Sequence, residues 1–368
     1  MSTLSALNQF RLQSVMDDLR DKRELPATLR FLNRTPSVDA MDEEIMAFVS
    51  ENVIAADILP DDATARVYGG QEIRLELTKL PNIKRGYAMN QAMLNLLSRL
   101  SQSAGTTDDQ GLLRNRRVQI LDGLLLGVRM TMERMIIGSA LDSLTYDHNG
   151  QQFDVGFNTP SDLKVTAGTP WSDSATATPI SDIQTLQSTA REKYGVGFDR
   201  LTMTSVAFRE MIATAEFRDK ATLYSQLVLP SAGNFPTSDT AMMNVLAGRI
   251  LGMSIEIYDE KYWTETNAGA EVATNFVPTT HVILTSTAND NNAGAMDFAN
   301  AVVTETIVGQ MLQETNGNGQ ILGGFGAARR GPVAYAEGSL NPANLSLWAV
   351  ARGFPRKKLR SYSAYLVI

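Results

Sequence analysis

The chain has 368 residues, 43% of them hydrophobic and 20% charged, enough to bury a large core in two or three compact units. A net charge of −7 disfavours sequence-general duplex-DNA binding, which calls for a basic surface, and the absence of cysteine excludes disulfides, thiolate chemistry and cysteine-based metal sites. The start MSTLSALNQFRLQ has no apolar core of signal-peptide length, and no apolar run nears the roughly 20 residues of a membrane span, so a soluble protein folded in a cytoplasm is expected.

Residues 3–23 read as an amphipathic helix, with Leu4, Leu7, Phe10, Val15 and Leu19 at helical spacing until Pro26 ends the stretch. FLNRTPSVDAMDEEI reads as a loop. IMAFVSENVIAADIL, apolar and β-branched, fits a strand or a short helix. Residues 1–40 are expected to form an N-terminal arm.

Within residues 64–80, Ile73, Leu75 and Leu77 alternate with Arg74, Glu76 and Thr78, the period of a half-buried strand. Gly69–Gly70 can supply the positive φ angles of a tight turn, so a hairpin is expected, closed off by Pro81 and Gly86. A two-stranded hairpin is marginal alone in water, so it must pack on its own domain or on a neighbour. Residues 87–100 place Met89, Met93, Leu96, Leu97 and Leu100 on one side and read as a helix.

The strongest element spans 107–145. Thr107 and Gln110 have capping-box spacing, and Leu113, Ile120, Leu124, Val128, Met132 and Met135 mark one face. Arg114, Arg117, Asp122, Arg129 and Glu133 supply charge. A continuous helix would be roughly 55–60 Å long, well beyond the usual globular length, and needs a long partner surface. Gly123, Gly127 and Gly138 make bending or close backbone approach possible.

Asn149–Gly150, flanked by Tyr146 and Phe153, has the signature of a two-residue hairpin turn. A helix over 180–193 is opened by Ser181 and Asp182. Leu201–Met203 reads as a buried strand and Ser205 as the start of a helix. NVLAGRILGMSIEIYDEKYW gives a helix, a glycine stop and a strand Ser254–Tyr258. NFVPTTHVILTST is a further strand, and LSLWAVARGF and YSAYLVI are two more. The region from 171 to about 340 therefore alternates helices and strands as an α/β unit would.

Chemistry finds little support. His148 sits beside a turn and His281 in a strand, with no second His or Cys near either, so turn polarity and core packing outweigh catalysis or metal binding. GGFGAARRG carries Gly324 and Gly326 but has Arg329 where the dinucleotide signature needs a third glycine, and no P-loop motif occurs. The acids at Asp42–Glu44, Asp61–Asp62 and Asp108–Asp109 are explained by loop solubility and, at 108–109, by the helix dipole. Trp171, Trp263 and Trp348 are expected to pack. Arg352, Arg356, Lys357, Lys358 and Arg360 form the densest basic stretch, either a solvated loop between strands or a contact to phosphates or an acidic partner. No GxSxG elbow is present.

The order of these features resembles the major capsid protein of tailed phages, of the lambda head-protein type (the major capsid protein E family). PWSDSATATPISDIQTL is the most diagnostic stretch, joined by GMSIEIYDEKYW and NFVPTTHVILTST, and the likeness covers roughly residues 40–368. It implies an α+β chain with the Hong Kong-97-type capsid fold. The arm would be residues 1–40 and an extended E-loop residues 57–86. A peripheral domain would take 41–56, 87–170 and 341–354, with 107–145 as its spine helix. An axial α/β domain would take 171–340 and 355–368.

The resemblance further implies self-assembly through hexamers and pentamers into an icosahedral shell around double-stranded DNA, bound without sequence specificity. Assembly would take place in the host cytoplasm with scaffold, portal and decoration proteins as partners, and with no membrane, metal, cofactor or catalysis. Ile73, Leu75 and Leu77 are expected to face an adjacent subunit. Arg356, Lys357 and Lys358 are expected to meet acids there, such as Asp42–Glu44 or Asp61–Asp62. The alternatives are a nucleic-acid-binding structural protein, which needs a basic face, and an enzyme in the α/β unit, which needs a convergent His, Cys or Lys cluster.

Overall fold

A computed structural model describes residues 26–39, 43–48, 74–89, 107–148, 151–228, 240–265, 270–303, 329–330, 332–340 and 343–368. The helix expected at 3–23, the Gly69–Gly70 turn, Ile73 and the GGFGAA stretch lie outside these residues. In chain order the elements begin with α1 (Arg30–Arg34), β1 (Ser37–Asp39), β2 (Glu43–Phe48), β3 (Arg74–Lys79) and β4 (Asn82–Met89). The long helix α2 (Thr107–Ala140) is followed by the strands β5 (Leu144–His148), β6 (Gln151–Val155) and β7 (Lys164–Thr166). Next come α3 (Pro179–Tyr194), β8 (Arg200–Met203), α4 (Ser205–Ala213), α5 (Ala215–Val228), α6 (Thr240–Leu251) and β9 (Ser254–Ile257). The remaining strands are β10 (Lys261–Glu265), β11 (Glu271–Asn275), β12 (His281–Thr285), β13 (Met296–Asn300), β14 (Val302–Val303), β15 (Arg329–Arg330), β16 (Val333–Leu340), β17 (Ala343–Lys357) and β18 (Ser363–Val367).

The chain divides into two compact units, one of Met1–Ile45, Leu77–Glu133 and Phe298–Pro355, the other of Met46–Glu76, Arg134–Asp297 and Arg356–Ile368. These boundaries differ from those expected: the cut falls inside the long helix, and residues 298–340 group with the first unit.

In the first unit, β17 is the organising strand. It pairs antiparallel with β16 from Val333↔Val350 to Leu340↔Ala343, and with β4 from Leu345↔Met89 to Arg352↔Asn82. β13 and β1 extend the same sheet, β1 running parallel to β13 through Ser37↔Phe298. Residues 87–89 are thus strand where a helix was expected, because the β17 edge claims their backbone groups. Gly86 lies against the Trp348 ring so closely that a β-carbon there would come within 2.6 Å of it. Only glycine fits that crossing.

The long helix has 34 residues and spans about 51 Å, ending five residues earlier than expected. Ile120, Leu124, Val128 and Met132 are buried as the spacing predicts, and so are Leu121 and Leu125, so the apolar face is broader than one stripe. Arg129 and Glu133, two of the residues that supply the helix's charge, are also buried. Glu133 is enclosed because its carboxylate accepts the Phe31 N–H at 3.1 Å and the Leu32 N–H at 2.5 Å, amides in the first turn of α1 that helix geometry gives no intrahelical acceptor. With Leu29 and Phe31 buried, this carboxylate fastens residues 26–34 to the helix.

In the second unit, a mixed sheet runs in the order β7-β18-β12-β8-β9. β12 is antiparallel to β18 and β8, and β9 is parallel to β8. Strands β8 and β12 are buried almost throughout, β12 through its apolar run Val282–Leu284 and β8 with Arg200 and Thr202 enclosed beside Leu201 and Met203. Ile180, Ile183, Leu186, Phe208, Met211, Phe217, Leu246 and Ala247 from α3 to α6 close the core with Leu201, Met203, Val282, Leu284 and Leu366. α6 stops at Gly252, whose φ of 67° is the left-handed conformation that ends a helix. β5 and β6 pair with His148↔Gln151, leaving two residues, Asn149 and Gly150, as the connection, and Tyr146 opposes Phe153.

Candidate subunit-contact surfaces

The alternating stretch forms β3, which holds Leu75 and Leu77 and joins β2 in a two-stranded sheet of its own. β2 makes Ile45–Phe48 strand, and the rest of the IMAFVSENVIAADIL stretch lies outside the described residues. A ribbon of two strands buries too little apolar surface to stand alone, so the physical demand for a covering partner persists.

The basic stretch makes contacts within the subunit. It is no solvated loop, since β17 runs to Lys357. Arg356 grips Asp297 with two hydrogen bonds, Nε to Oδ1 and Nη2 to Oδ2, each 2.7 Å. Lys358 Nζ reaches the same carboxylate at 2.8 Å and the Ala293 carbonyl at 2.9 Å. Asp297 is fully buried and Lys357 only 1% exposed. Lys357 Nζ donates to Thr159 Oγ1 at 2.7 Å and to Ser363 Oγ at 3.1 Å. All of these partners are in the same subunit, so Asp42–Glu44 and Asp61–Asp62 are not needed to explain the charges. Nothing in the stretch itself signals Asp297, which stands 59 residues earlier.

The Trp-to-Asp-Ile segment folds around a helix start. Pro179 opens α3, where its missing N–H costs nothing, and the next amides, Ile180 and Ser181, donate to the Glu216 carboxylate of α5 at 2.8 and 3.1 Å. Trp171 is buried and its indole N–H donates to Asp182 at 3.2 Å. Burial, with the negative Glu216 nearby, holds the Asp182 carboxyl above its ordinary range despite that hydrogen bond. At the end of the long helix Asp142, at φ 59°, accepts the Phe157 and Thr159 amides at 3.0 and 2.8 Å and pairs with Lys164. Burial works to raise its pKa, but these bonds and the Lys164 charge win and hold it below the ordinary value.

Neither histidine gathers a catalytic set. His281 is half-buried beside Tyr365, with Thr280 Oγ1 3.0 Å from Nδ1, and burial lowers its pKa. Among the described residues, no group of three or more His, Cys, Asp or Glu is placed to hold a metal ion, and no helix is long and apolar enough to cross a membrane. Trp263 departs from the packing role expected of it: it is 65% exposed on β10. Sequence gives no sign of this, because alternation along a short strand does not say which face is wet.

The model of the family described as phage major capsid protein E matches residues 50–301. The chain belongs to that family. No curated protein sequence matches the capsid protein significantly. Among solved structures it is similar to a protein assigned as the capsid protein of an E. coli CFT073 prophage, at TM-score 0.56 and 13% identity, covering 98% of this chain and 99% of that one. It is also similar to a phage-related protein from Bordetella bronchiseptica RB50, at TM-score 0.52 and 10% identity, covering 96% and 95%. The fold is that of the Hong Kong-97-type capsid proteins, and the protein is a structural subunit of a capsid shell.

Proposed function

We propose that this subunit assembles through pentamers and hexamers into the icosahedral head of a tailed phage. The head would enclose double-stranded DNA, with scaffold, portal and decoration proteins taking part in the host cytoplasm. The observation that carries the proposal is the family match over 50–301 joined to a likeness of fold along nearly the whole chain. A net charge of −7 suits a wall along which DNA must slide, because tight phosphate contacts would hinder packing. The long-helix region and the β16–β17–β4 sheet take the peripheral role, and the α3–α6 unit the axial role around the symmetry axes.

In this reading the ribbon carrying β3 is the extended loop that reaches an adjacent subunit, and Ile73, Leu75 and Leu77 are its apolar contacts. Burying each contributes about 1.5–3 kcal/mol, repeated at every copy in the shell. Arg356, Lys357 and Lys358 instead hold the subunit itself together. The test is expression of the wild type and of Leu75→Asp with the neighbouring genes, followed by sedimentation, electron microscopy and circular dichroism of the free subunit. Shells from the wild type and folded but unassembled Leu75→Asp are expected. Normal particle yield from Leu75→Asp would remove the ribbon from the interface, and no particles from the wild type would overturn the head-shell reading.

A further inference from the structure

The β10–β11 hairpin is held on one side and bare beyond it. At its base the Tyr262 and Phe276 rings meet tilted by 49° with centroids 5.1 Å apart, Phe276 lies 6.1 Å from Tyr258, and the Arg134 guanidinium sits 4.9 Å over the Tyr262 ring. Tyr258 and Phe276 are buried, so this end of the ribbon is a fixed body. The register then decides the rest. Tyr262↔Thr274 and Thr264↔Val272 share one face, and Lys261↔Asn275, Trp263↔Ala273 and Glu265↔Glu271 share the other. Trp263 is 65% exposed and Val272, on the opposite face, 44%. Ala270 to Thr274 are exposed without a break, so β11 is wet on both faces. A rigid ribbon that presents a tryptophan and bare β-branched surface is an arrangement that interfaces use for anchoring residues.

A second exposed apolar group lies in the same unit, on the helix pair α5–α6. Leu223 and Val245 are each 59% exposed, although both helices bury their other faces in the core through Phe217, Met243 and Leu246. Arg249 follows Val245 by one helical turn and is exposed on the same side. The two groups differ in charge. Around the hairpin, Asp259, Glu260 and Glu271 stand against Lys261 and Arg134, whereas the outer positions of the helix pair carry Arg218 and Arg249 against Asp219.

We propose that the Trp263–Ala273–Glu271 face of this hairpin docks on the α5–α6 surface of a second copy of the chain, with Trp263 against Leu223 and Val245 and Glu271 near Arg249. The inference rests on the shell-forming reading. A ring of identical subunits joined head to tail needs two different, complementary patches on each copy. These two patches are apolar, opposite in charge and fixed to one unit. The polar rim would set the register of the contact and the tryptophan most of its strength.

The test compares wild type, Trp263→Ala, Glu271→Arg, Arg249→Glu and the double reversal Glu271→Arg/Arg249→Glu. Each subunit is first melted by circular dichroism, since all three positions are exposed and the fold should survive. Sedimentation with electron microscopy then gives the lowest subunit concentration that yields particles. Trp263→Ala should raise that concentration by about tenfold or more, as loss of an anchoring residue does. Each charge reversal should raise it by a smaller factor that shrinks at high salt, and the double reversal should return it toward wild type. Unchanged assembly of Trp263→Ala beside normal wild-type particles would overturn the hairpin contact, as would its occupation by a different protein. Single defects that the double reversal fails to repair would overturn the α5–α6 assignment. Absence of wild-type particles would withdraw the shell reading together with the contact.

Discussion

Replacing Asp297 by alanine asks whether the basic stretch serves the subunit or its neighbours. The Asp297 side chain has no exposed surface, that of Arg356 is 14% exposed, and that of Lys358 36%. Removing one partner of a buried, doubly hydrogen-bonded pair leaves the other charge without compensation, and this costs about 3–5 kcal/mol. Lys358 is exposed enough for water to take over, so its share is only about 0–1 kcal/mol. The expected order of destabilisation is therefore Asp297→Ala and Arg356→Ala together, with Lys358→Gln well behind. Urea unfolding of the free subunit measures it, and the loss should change little with salt because the carboxylate is shielded. A loss under about 1 kcal/mol for Asp297→Ala, with a salt-sensitive drop in particle yield instead, would refute the reasoning and return these cations to an intersubunit role.

Two further outcomes follow from burial. Leu124 is 3% exposed on the long helix, so Leu124→Ala should cost about 2–5 kcal/mol in urea titration, and a change no larger than a surface substitution's would show that this face is not a packed one. His281 has a folded pKa lowered by burial. The unfolded chain therefore binds the proton first, and stability should decline as pH falls through the unfolded value near 6.5 toward the folded one. His281→Gln should flatten that part of the stability–pH curve, and an unchanged curve would remove His281 as its source.

What was legible in the sequence is local. The apolar run Val282–Leu284 marked β12, Asn149–Gly150 marked the β5–β6 connection, and Gly252 marked the end of α6, because each depends on residues within a few positions. What was hidden depends on partners far along the chain. Met89 fits a helical stripe with Met93 and Leu96, yet Tyr87, Ala88 and Met89 pair with Leu347, Ser346 and Leu345. The open edge of a long strand overrides a weak propensity there. The burial of Glu133 could not be read from its neighbours because the amides it receives lie 102 and 101 residues earlier. The Ile73–Leu77 alternation marks a strand with two unlike faces but cannot name what covers the apolar one.

These polar anchors bear on how such a subunit could assemble. Exposed charges give weak, salt-screened contacts, whereas Glu133, Asp297 and Lys357 are withdrawn from water and tied to named partners inside their own unit. Losing one of these bonds destabilises the unit strongly, since an unpaired buried charge is far costlier than an exposed one. Each unit is thereby stiffened before any neighbour arrives, and association need not order its core. The surfaces proposed above for association are apolar groups on thin ribbons and helix faces, the exposed Trp263 and Val272 among them. Such contacts are individually modest and lack the steep penalty of a mispaired buried charge, so a wrongly placed neighbour can leave and rebind. A closed shell of many copies needs that reversibility, because one trapped misfit would block every later addition. The strong interactions therefore belong inside the subunit and the weak, repeated ones between subunits.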